Sequence, residues 1–290
     1  MKIQFLLVPY DSGRREWRMG RGPSFLLRHG VGSSIRSLGN DVDAEYVEPR
    51  GVDSPNPPAS TEIATSFSLY RELAERARAA RATGALPIVL GGNCGVTLGA
   101  LASAPDTREI GVLWLDAHAD FNTPDTTASG FLDGMALAML TGRCWRTLAS
   151  TIQGFSPVAD DHVVLCGARD VDPQEGELLA TSKIGVVRGE TIRSGGLARS
   201  LTPALDALRA RVSRLHVHLD ADVLDATRAR ANHFATPGGL TSDELVEVAR
   251  LAVQRFEIVS AAVTAYDPAI DTTAAVPPPI TGALEALLMR

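Results

Sequence analysis

Seven short apolar runs with β-branched character recur along the chain, and amphipathic stretches lie between many of them. The runs occupy residues 2–8, 86–90, 110–115, 162–166, 183–187, 215–219 and 257–264. Strands that alternate with helices are typical of βαβ units, in which a parallel sheet is covered by helices on both faces. We therefore predict an α/β fold: one doubly wound domain over residues 1–290, with a mostly parallel central sheet flanked by helices.

Helical signals are clearest in three stretches. Residues 63–82 are rich in Ala, Leu, Glu and Arg, and residues 201–214 repeat apolar side chains at three-to-four spacing. The sequence Thr-Ser-Asp-Glu at 241–244 is a capping box, which predicts a helix that runs toward residue 256. Three prolines at 277–279 should break the structure before a short C-terminal helix. The longest biased tract is the Ser/Pro/Asn-rich stretch at 53–60.

Composition excludes several classes of partner. The formal net charge is -6, and the four arginines of residues 71–81 are interleaved with glutamates, which argues against nucleic acid. No apolar run reaches about 18 residues, and residues 1–10 become polar too quickly for a secretory signal, so we expect neither a membrane span nor a leader. Cys94, Cys144 and Cys166 have no disulfide or zinc-finger spacing, which fits a reducing, cytoplasmic setting.

Two acidic clusters, Asp116-Ala-His118-Ala-Asp120 and Asp220-Ala-Asp222, directly follow two of the apolar runs. Buried carboxylates cost several kcal/mol each unless a cation compensates them. Alternate residues of an extended chain share a face, so five ligands can converge and hold two divalent ions if Asp116 and Asp220 bridge them. Oxygen ligands with one imidazole suit Mn²⁺, and two such ions can present hydroxide at neutral pH. The alternative, that these acids are helix caps or loop residues, requires two coincidences.

The two clusters also carry a family resemblance. The segments Asp116–Gly130, Asp220–Asp225 and Pro237–Thr241 resemble the arginase and agmatinase (ureohydrolase) superfamily. The resemblance extends from Gly20–Pro23 near the start of the chain to Tyr266–Pro268 near its end. It implies an arginase-like fold, a hydrolase that acts on linear amidines, and assembly as a trimer or hexamer.

The resemblance also implies roles for individual residues. Six of them would ligate two manganese ions: Cys94, Asp116, His118, Asp120, Asp220 and Asp222. Asp116 and Asp220 would bridge the ions, and Asp120 would hydrogen-bond the attacking hydroxide. Substrate-binding positions are matched by Asn122 and Ser129, near the amino-acid end of the substrate, and by Asp172 and Glu175, which match residues that engage its α-amino group. A small amino-acid-like substrate is thereby favoured over a plain amine such as agmatine.

The first departure from the family pattern is Asn93-Cys94, where most members carry Asp-His. Cys94 can ligate as a thiolate, because a neighbouring cation strongly lowers a thiol pKa. The alternatives are a buried, unreactive cysteine beside a weakened or empty site, or tight binding of only one metal. A related branch that includes an N-hydroxyarginine amidinohydrolase carries a similar cysteine, so the substitution does not by itself end activity.

Further departures affect catalysis and substrate. Asp133 stands where arginases place a proton-shuttling histidine, and it is a poor proton donor at neutral pH unless burial raises its pKa. His233 is the alternative donor, or else an ordinary loop residue. Phe131 replaces an asparagine that arginases use on the substrate carboxylate, and Ala265 replaces a glutamate that pairs with guanidinium. Neutral or less basic groups become more plausible than guanidinium.

These observations predict a dinuclear manganese amidinohydrolase. It would cleave a C–N bond of a guanidino, N-hydroxyguanidino or formimino amino acid by attack of a metal-bridging hydroxide. Deacetylase-type amide hydrolysis is disfavoured, because two bridging-type aspartates suit a two-metal site. The alternative function is a catalytically impaired arginase-fold protein that binds or regulates.

Overall fold

One eight-stranded sheet organises the molecule. The computed structural model describes residues 1–51, 59–104 and 106–289. Its strands are β1 (Lys2–Val8), β2 (Asp41–Tyr46), β3 (Ala85–Gly91), β4 (Ile110–Leu115), β5 (Val163–Cys166), β6 (Gly185–Val187), β7 (Arg214–Asp220) and β8 (Glu257–Thr264). The order in the sheet is β2-β1-β3-β8-β7-β4-β5-β6, and every pairing is parallel. The predicted fold class is confirmed, and the sheet is more uniform than expected.

All seven apolar runs form strands, whereas β2 was not predicted from the sequence. The sequence of this strand is Asp-Val-Asp-Ala-Glu-Tyr, and only Val42 is buried. Because β2 lies at the edge of the sheet and pairs with β1 alone, most of its side chains face solvent. An edge strand of this kind has no apolar run to reveal it. A two-residue hairpin also forms outside the sheet, from Tyr10–Asp11 and Arg14–Arg15.

Eleven α-helices lie in the described part of the chain. They are α1 (Gly22–Leu26), α2 (Gly32–Ser37), α3 (Ala59–Ala82), α4 (Val96–Ala102), α5 (Ala136–Leu140), α6 (Arg146–Ala149), α7 (Pro173–Ala180), α8 (Gly189–Gly195), α9 (Leu197–Arg209), α10 (Ser242–Val253) and α11 (Pro277–Leu288). None of the helices described is both long and apolar enough to cross a membrane.

The helix predictions were correct in place but not always in extent. Helix α3 begins four residues before the predicted residue 63, and most of the 53–60 tract lies outside the described residues. The predicted helix at 201–214 is wrong at its C-terminal end, because α9 stops at Arg209 and Arg214 already belongs to β7. The expectation that the prolines at 277–279 precede the last helix is also wrong. They form the first turn of α11, where the missing N–H groups cost no intrahelical hydrogen bond.

The predicted capping box is confirmed. The Thr241 hydroxyl accepts a hydrogen bond from the backbone N–H of Glu244, and the Glu244 carboxylate accepts one from the backbone N–H of Thr241 at 2.8 Å. Helix α10 ends at Val253, three residues before the expected end. The reciprocal bonds satisfy two of the donors that a helix N-terminus leaves free.

Both faces of the sheet are covered, which explains why the strands read as continuous apolar runs. Along β4, Leu113 and Leu115 pack on one side with residues of α9, α10 and α11. Val112 and Trp114 pack on the other side with residues of α3 and α4. Since no strand of the centre has a solvated face, its polar chemistry is confined to the strand ends.

Candidate metal centre and its cavity

The two acidic clusters meet at the carboxyl edge of the sheet. Strands β4 and β7 are neighbours in register, with Leu115 opposite Leu219, so Asp116 and Asp220 emerge side by side. Ligand atoms within 4.8 Å of one another form two groups. One group contains Cys94, Asp116, His218 and Asp220, and the other contains Asp116, His118 and Asp222. Asp116 belongs to both groups, so it lies between two potential cation positions.

Short turns fix the orientation of these carboxylates. Asp116 accepts a hydrogen bond from the backbone N–H of His118 at 2.8 Å and another from Trp114 Nε1 at 3.0 Å. Asp220 likewise accepts one from the backbone N–H of Asp222 at 2.8 Å. The Asp-x-His and Asp-x-Asp spacings therefore place each strand-end carboxylate over its own turn. The orientation is set before any ligand binds.

The electrostatics of the centre call for a cation. Asp116, Asp120, Asp220 and Asp222 are all buried. Burial, and then repulsion between neighbouring carboxylates, raises the pKa of the first three. Asp120 belongs to neither of the two groups, yet it lines the same cavity, and its Oδ2 is buried with no partner in the described part of the chain. Carboxylate and thiolate donors that repel one another when ionised, together with an imidazole, fit a divalent metal.

His118 lies at the more open side of the centre. Its Nδ1 is 3.3 Å from Asp116 Oδ1 and 3.4 Å from Asp222 Oδ2. Burial alone would lower the pKa of His118, but Asp222 and Asp116 together raise it to about 10. The His118 ring is therefore protonated, and its positive charge offsets the negative charges of Asp116 and Asp222. A metal ion would offset the same charges and would compete with that proton.

Cys94 lies beneath the carboxylates. Its Sγ donates a hydrogen bond to Asp220 Oδ2 at 3.0 Å and lies 3.3 Å from Thr264 Oγ1. Burial, followed by the negative charges of Asp133 and Asp220, raises the pKa of the Cys94 thiol well above its usual value. The thiol is therefore protonated unless a cation displaces its proton, and its distance from Asp220 suits a shared ion.

Asp133 is buried and binds the loop after β3. Its carboxylate accepts hydrogen bonds from Asn93 Nδ2 at 2.8 Å and from the backbone N–H of Cys94 at 2.6 Å. Burial, and then the charge of Asp11, raises the pKa of Asp133 to about 8, although its hydrogen bonds act in the opposite direction. Asn93 and Asp133, which both depart from the family pattern, therefore form one hydrogen-bonded unit.

His233 does not approach the centre. Its side chain is exposed, and it does not line the cavity. Its two neighbours do line it, and Asn232 donates hydrogen bonds to Asp222 Oδ2 at 3.1 Å and to the backbone carbonyl of Ala265 at 2.8 Å. The expectation that His233 supplies an imidazole to the site is therefore not supported by its position.

The cavity above the centre has a volume of about 330 Å³ and contains the predicted substrate-binding residues. Its walls include Asn122, Ser129, Phe131, Asp172, Glu175 and Ala265. Asn122 Nδ2 donates to Asp172 Oδ2 at 3.0 Å. Glu175 accepts from the backbone N–H of Phe121 at 2.7 Å and of Asp172 at 3.1 Å, which closes a capping box at the start of α7. Glu175 thus orients Asp172, while Asp172 itself faces the cavity.

Ala265 forms part of the cavity wall. It is buried, it lines the cavity, and its backbone φ of 59° lies in the left-handed region. Only a methyl group therefore occupies this part of the wall. Among the described residues that line the cavity none is a lysine or arginine, and the charged ones other than His118 are acids.

Four residues that contact the site were not predicted from the sequence: His218, Asn232, Phe234 and Thr264. His218 lies two residues before Asp220 on the same strand face, so its position could have been read from the alternation. Its Nδ1 contacts Thr97 Oγ1 at 2.7 Å, and its ring stacks on Trp114. The other three depend on tertiary contacts.

Two glycines allow backbone segments that are distant in sequence to pack closely at the site. A Cβ on Gly22 would lie 2.2 Å from the Tyr266 carbonyl oxygen, and a Cβ on Gly92 would lie 2.3 Å from the Tyr10 carbonyl oxygen. Neither contact is compatible with any side chain. The Gly20–Pro23 segment, the loop after β3 and the segment after β8 therefore pack backbone to backbone around the centre.

An eight-stranded parallel sheet with a buried carboxylate and histidine cluster at its carboxyl edge defines a class of α/β hydrolytic enzymes. The chain matches the family model described as "Arginase family" over residues 1–289. It is 29% identical over 275 residues to the arginase of Bacillus caldovelox, covering 93% of this chain and 92% of that one. The structure of a Bacillus caldovelox arginase superposes with a TM-score of 0.90 at 26% identity, covering 100% and 98% of the two chains.

Two further proteins resemble this chain to different degrees. The arginase of Brucella melitensis biotype 1 is 34% identical over 264 residues, covering 84% of this chain and 81% of that one. The formimidoylglutamase of Bacillus subtilis shares the fold alone, with a TM-score of 0.75 at 17% identity over 99% and 86% of the chains. The chain belongs to the arginase family. It is a hydrolase of the arginase and ureohydrolase type.

Proposed function

We propose that the protein is a dinuclear manganese-dependent amidinohydrolase that cleaves a C–N bond of a guanidino, N-hydroxyguanidino or formimino amino acid. The observation that carries the proposal is the convergence of four buried carboxylates, one of them with an unpartnered oxygen, in a member of the arginase family. Such a cluster is stable when ionised only with compensating cations.

The chain offers donors for two ions. His118 and Asp222 would hold one ion, Cys94 and Asp120 the other, and Asp116 and Asp220 would be shared. The membership of Asp116 in both ligand groups supports its bridging role. Two bound Mn²⁺ ions would lower the pKa of a shared water and so supply hydroxide at neutral pH.

Two aspartates would serve the proton transfers. The free Oδ2 of Asp120 can accept a hydrogen bond from the attacking group. Asp133, whose pKa burial raises to about 8, would donate a proton to a leaving amine. Burial of a carboxylic acid thus replaces the imidazole that the family uses at this position.

The walls of the cavity support an amino-acid-like substrate without a strongly cationic reacting group. Asp172, held by Asn122 and Glu175, presents a carboxylate to a substrate amino group, and Ser129 adds a hydroxyl. Ala265 offers no charge to a guanidinium. N-hydroxyguanidino and formimino groups are therefore favoured over guanidinium itself, and L-arginine is not the preferred substrate.

Metal content and product release test the proposal. Purified protein incubated with excess Mn²⁺ should contain close to two ions per chain. It should also release urea, hydroxyurea or formamide from arginine, N-hydroxyarginine, guanidinobutyrate, agmatine or formiminoglutamate. An absence of metal, or of turnover of the whole panel, would contradict the proposal and favour a binding or regulatory role. We also expect a cytoplasmic trimer or hexamer, and light scattering tests the oligomeric state.

A further inference from the structure

One wall at the mouth of the cavity is aromatic. The rings of Phe131 and Phe234 stack with centroids 5.5 Å apart and an interplanar angle of 26°. Both side chains line the cavity, and Phe234 is 44% exposed. Phe234 is one of the few large apolar side chains that the described surface exposes. Exposed aromatic rings at the rim of a ligand cavity are typical of ligand contacts.

Neighbouring side chains hold this aromatic wall in place. The guanidinium carbon of Arg18 lies 5.6 Å from the centroid of the Phe131 ring and 3.8 Å from that of Trp17. Arg18 also binds the fully buried Asp11 through two hydrogen bonds, of 2.8 and 2.9 Å. The wall is therefore preorganised, and the charge of Arg18 is already neutralised by Asp11.

Another part of the cavity lining is acidic. Asp170, Asp172 and Glu175 line the cavity, and in the described part of its lining no lysine or arginine balances them. The Asn122 amide nitrogen uses one of its two N–H groups to donate to Asp172. A substrate amino group is attracted to this wall, whereas a free carboxylate would lie between negative charge and aromatic rings.

We propose that Phe131 and Phe234 determine substrate specificity, and that the preferred substrate keeps a free amino group but carries an apolar or aromatic group that caps its carboxyl end. The inference rests on the proposed function, because it assigns the reacting group to the metal end of the same cavity. The amino group binds the acidic wall, and the capping group packs on the aromatic wall. Hydroxyls such as that of Ser129 remain available to the carbonyl oxygen of an amide or ester.

Three ligands that share a guanidinium and an α-amino group, and that differ only at the carboxyl end, test the proposal: L-arginine, L-argininamide and L-arginine anilide. Titration calorimetry on the 290-residue chain with a metal chelator measures binding without hydrolysis. We expect argininamide to bind more tightly than arginine, because a negative charge has been removed. We expect the anilide to bind about 10-fold more tightly than argininamide, because its ring is buried against Phe131 and Phe234.

Two variants distinguish contact between the ligand and the aromatic rings from a general effect of mutation on binding. Phe234→Ala should weaken anilide binding about 5- to 10-fold and leave argininamide within twofold. Leu38→Ala, which removes another exposed apolar side chain outside the cavity, should change neither. Equal affinities for the anilide and argininamide, tighter binding of arginine, no binding of any of the three, or an equal effect of Phe234→Ala on all three would overturn the proposal.

A parallel measurement distinguishes this inference from the proposed function. The Mn²⁺-loaded protein is assayed for urea release from the same three compounds. Selective binding of the anilide, with no urea release from the three compounds and no turnover of N-hydroxyarginine or formiminoglutamate, supports the aromatic wall and contradicts the hydrolytic role. Turnover in which arginine has a kcat/KM equal to or higher than that of the anilide supports the hydrolytic role and contradicts the inference.

Discussion

The side-chain amide of Asn93 donates a 2.8 Å hydrogen bond to the carboxylate of Asp133, forty residues further along the chain. The same carboxylate accepts from the backbone N–H of Cys94, so it fixes the loop that carries the proposed thiol ligand. An aspartate at position 93, as in most of the family, would place two buried carboxylates in contact. The two departures from the family pattern are therefore complementary.

This pairing predicts a non-additive response to mutation. Asn93→Asp should destabilise the protein by about 2–4 kcal/mol at neutral pH, because it replaces the amide that donates to Asp133 with a second carboxyl group, and two adjacent carboxyl groups cannot both ionise without repulsion. Asp133→His alone should also destabilise it, since Asn93 and the Cys94 N–H lose their acceptor. The double variant Asn93→Asp/Asp133→His should recover at least about 1 kcal/mol relative to the sum. Urea denaturation measures all four proteins, and strict additivity would show that the two positions are independent.

Ligation by Cys94 predicts a difference between two substitutions. Cys94→His should keep two Mn²⁺ ions per chain, because an imidazole restores the donor that the family uses here. Cys94→Ala should lower the affinity of the second ion at least about 10-fold, since it removes a ligand and leaves the neighbouring carboxylates uncompensated. Metal analysis after dialysis measures both variants. Cys144→Ala is the matched control, as it removes a buried thiol that does not line the cavity. Unchanged metal content in Cys94→Ala would exclude ligation.

Ala265→Glu should shift selectivity toward cationic substrates. Position 265 faces the cavity, and a carboxylate there would pair with a guanidinium but not with a neutral amidine. We expect kcat/KM for arginine relative to a formimino substrate to rise at least about 10-fold, which corresponds to about 1.4 kcal/mol of differential stabilisation. Ala265→Gln tests shape without charge and should leave the ratio near that of the parent protein. A ratio that rises equally in both variants would contradict the electrostatic explanation.

His216 predicts a pH dependence of stability. Its ring is fully buried, with Nδ1 2.7 Å from Ser260 Oγ, and burial, assisted by the charge of Arg81, lowers its pKa to about 3. An unfolded histidine titrates near pH 6.5, so below that pH the unfolded state binds a proton that the folded state refuses. This contribution is fully present above about pH 6.5 and is lost as the pH falls toward 3, by about 1.4 kcal/mol per pH unit.

His216→Asn should therefore reduce the loss of stability between pH 7 and pH 5 by about 2 kcal/mol relative to the parent protein. Chemical denaturation at the two pH values provides the comparison, and the difference between proteins removes the contribution of the carboxylates. The control is His233→Asn, whose side chain is exposed in the folded protein. A variant with the same slope as the parent would mean that His216 is protonated in the folded state.

Arg169 should be intolerant even of lysine. Its guanidinium donates to the backbone carbonyls of Asp222 at 2.8 Å, Thr236 at 2.9 Å and Leu224 at 3.1 Å, and so ties the second acidic cluster to the loop that contains Asn232. A lysine cannot reproduce this planar set of donors. We expect Arg169→Lys to cost about 2–4 kcal/mol of unfolding free energy and to weaken Mn²⁺ binding. The exposed Arg209→Lys should cost less than about 0.5 kcal/mol.

The sequence predicted the sheet because its inner strands are buried on both faces. Runs such as Ile110–Leu115 carry no polar residue, and a short run of this kind is typical of a strand that is buried on both faces. The edge strand Asp41–Tyr46 was not predicted, because most of its side chains are exposed to solvent and it therefore contains no continuous apolar run. Helix ends were also harder to predict, because they depend on tertiary structure. The end of α9 at Arg209, for example, depends on where β7 begins.

The site was predictable where it follows strand ends and unpredictable where it depends on packing. The positions of Asp116 and Asp220 follow from two apolar runs in neighbouring strands. Asn232 and Phe234 lie in an irregular loop whose path is fixed by contacts with Arg169 and Ala265, and no local pattern encodes that path. The outward orientation of His233 is decided by the same loop.

The hydrogen bond between Cys94 and Asp220 spans 126 residues of sequence. Its partners lie on segments that come together only when β3, β8 and β7 have paired in order. Closing loops of that length is slow, and parallel pairing is rewarded late in folding. A nascent or partly folded chain thus has the acidic residues but not the proposed ion site, so Mn²⁺ uptake would mark the completion of folding and would stabilise only molecules that have reached it.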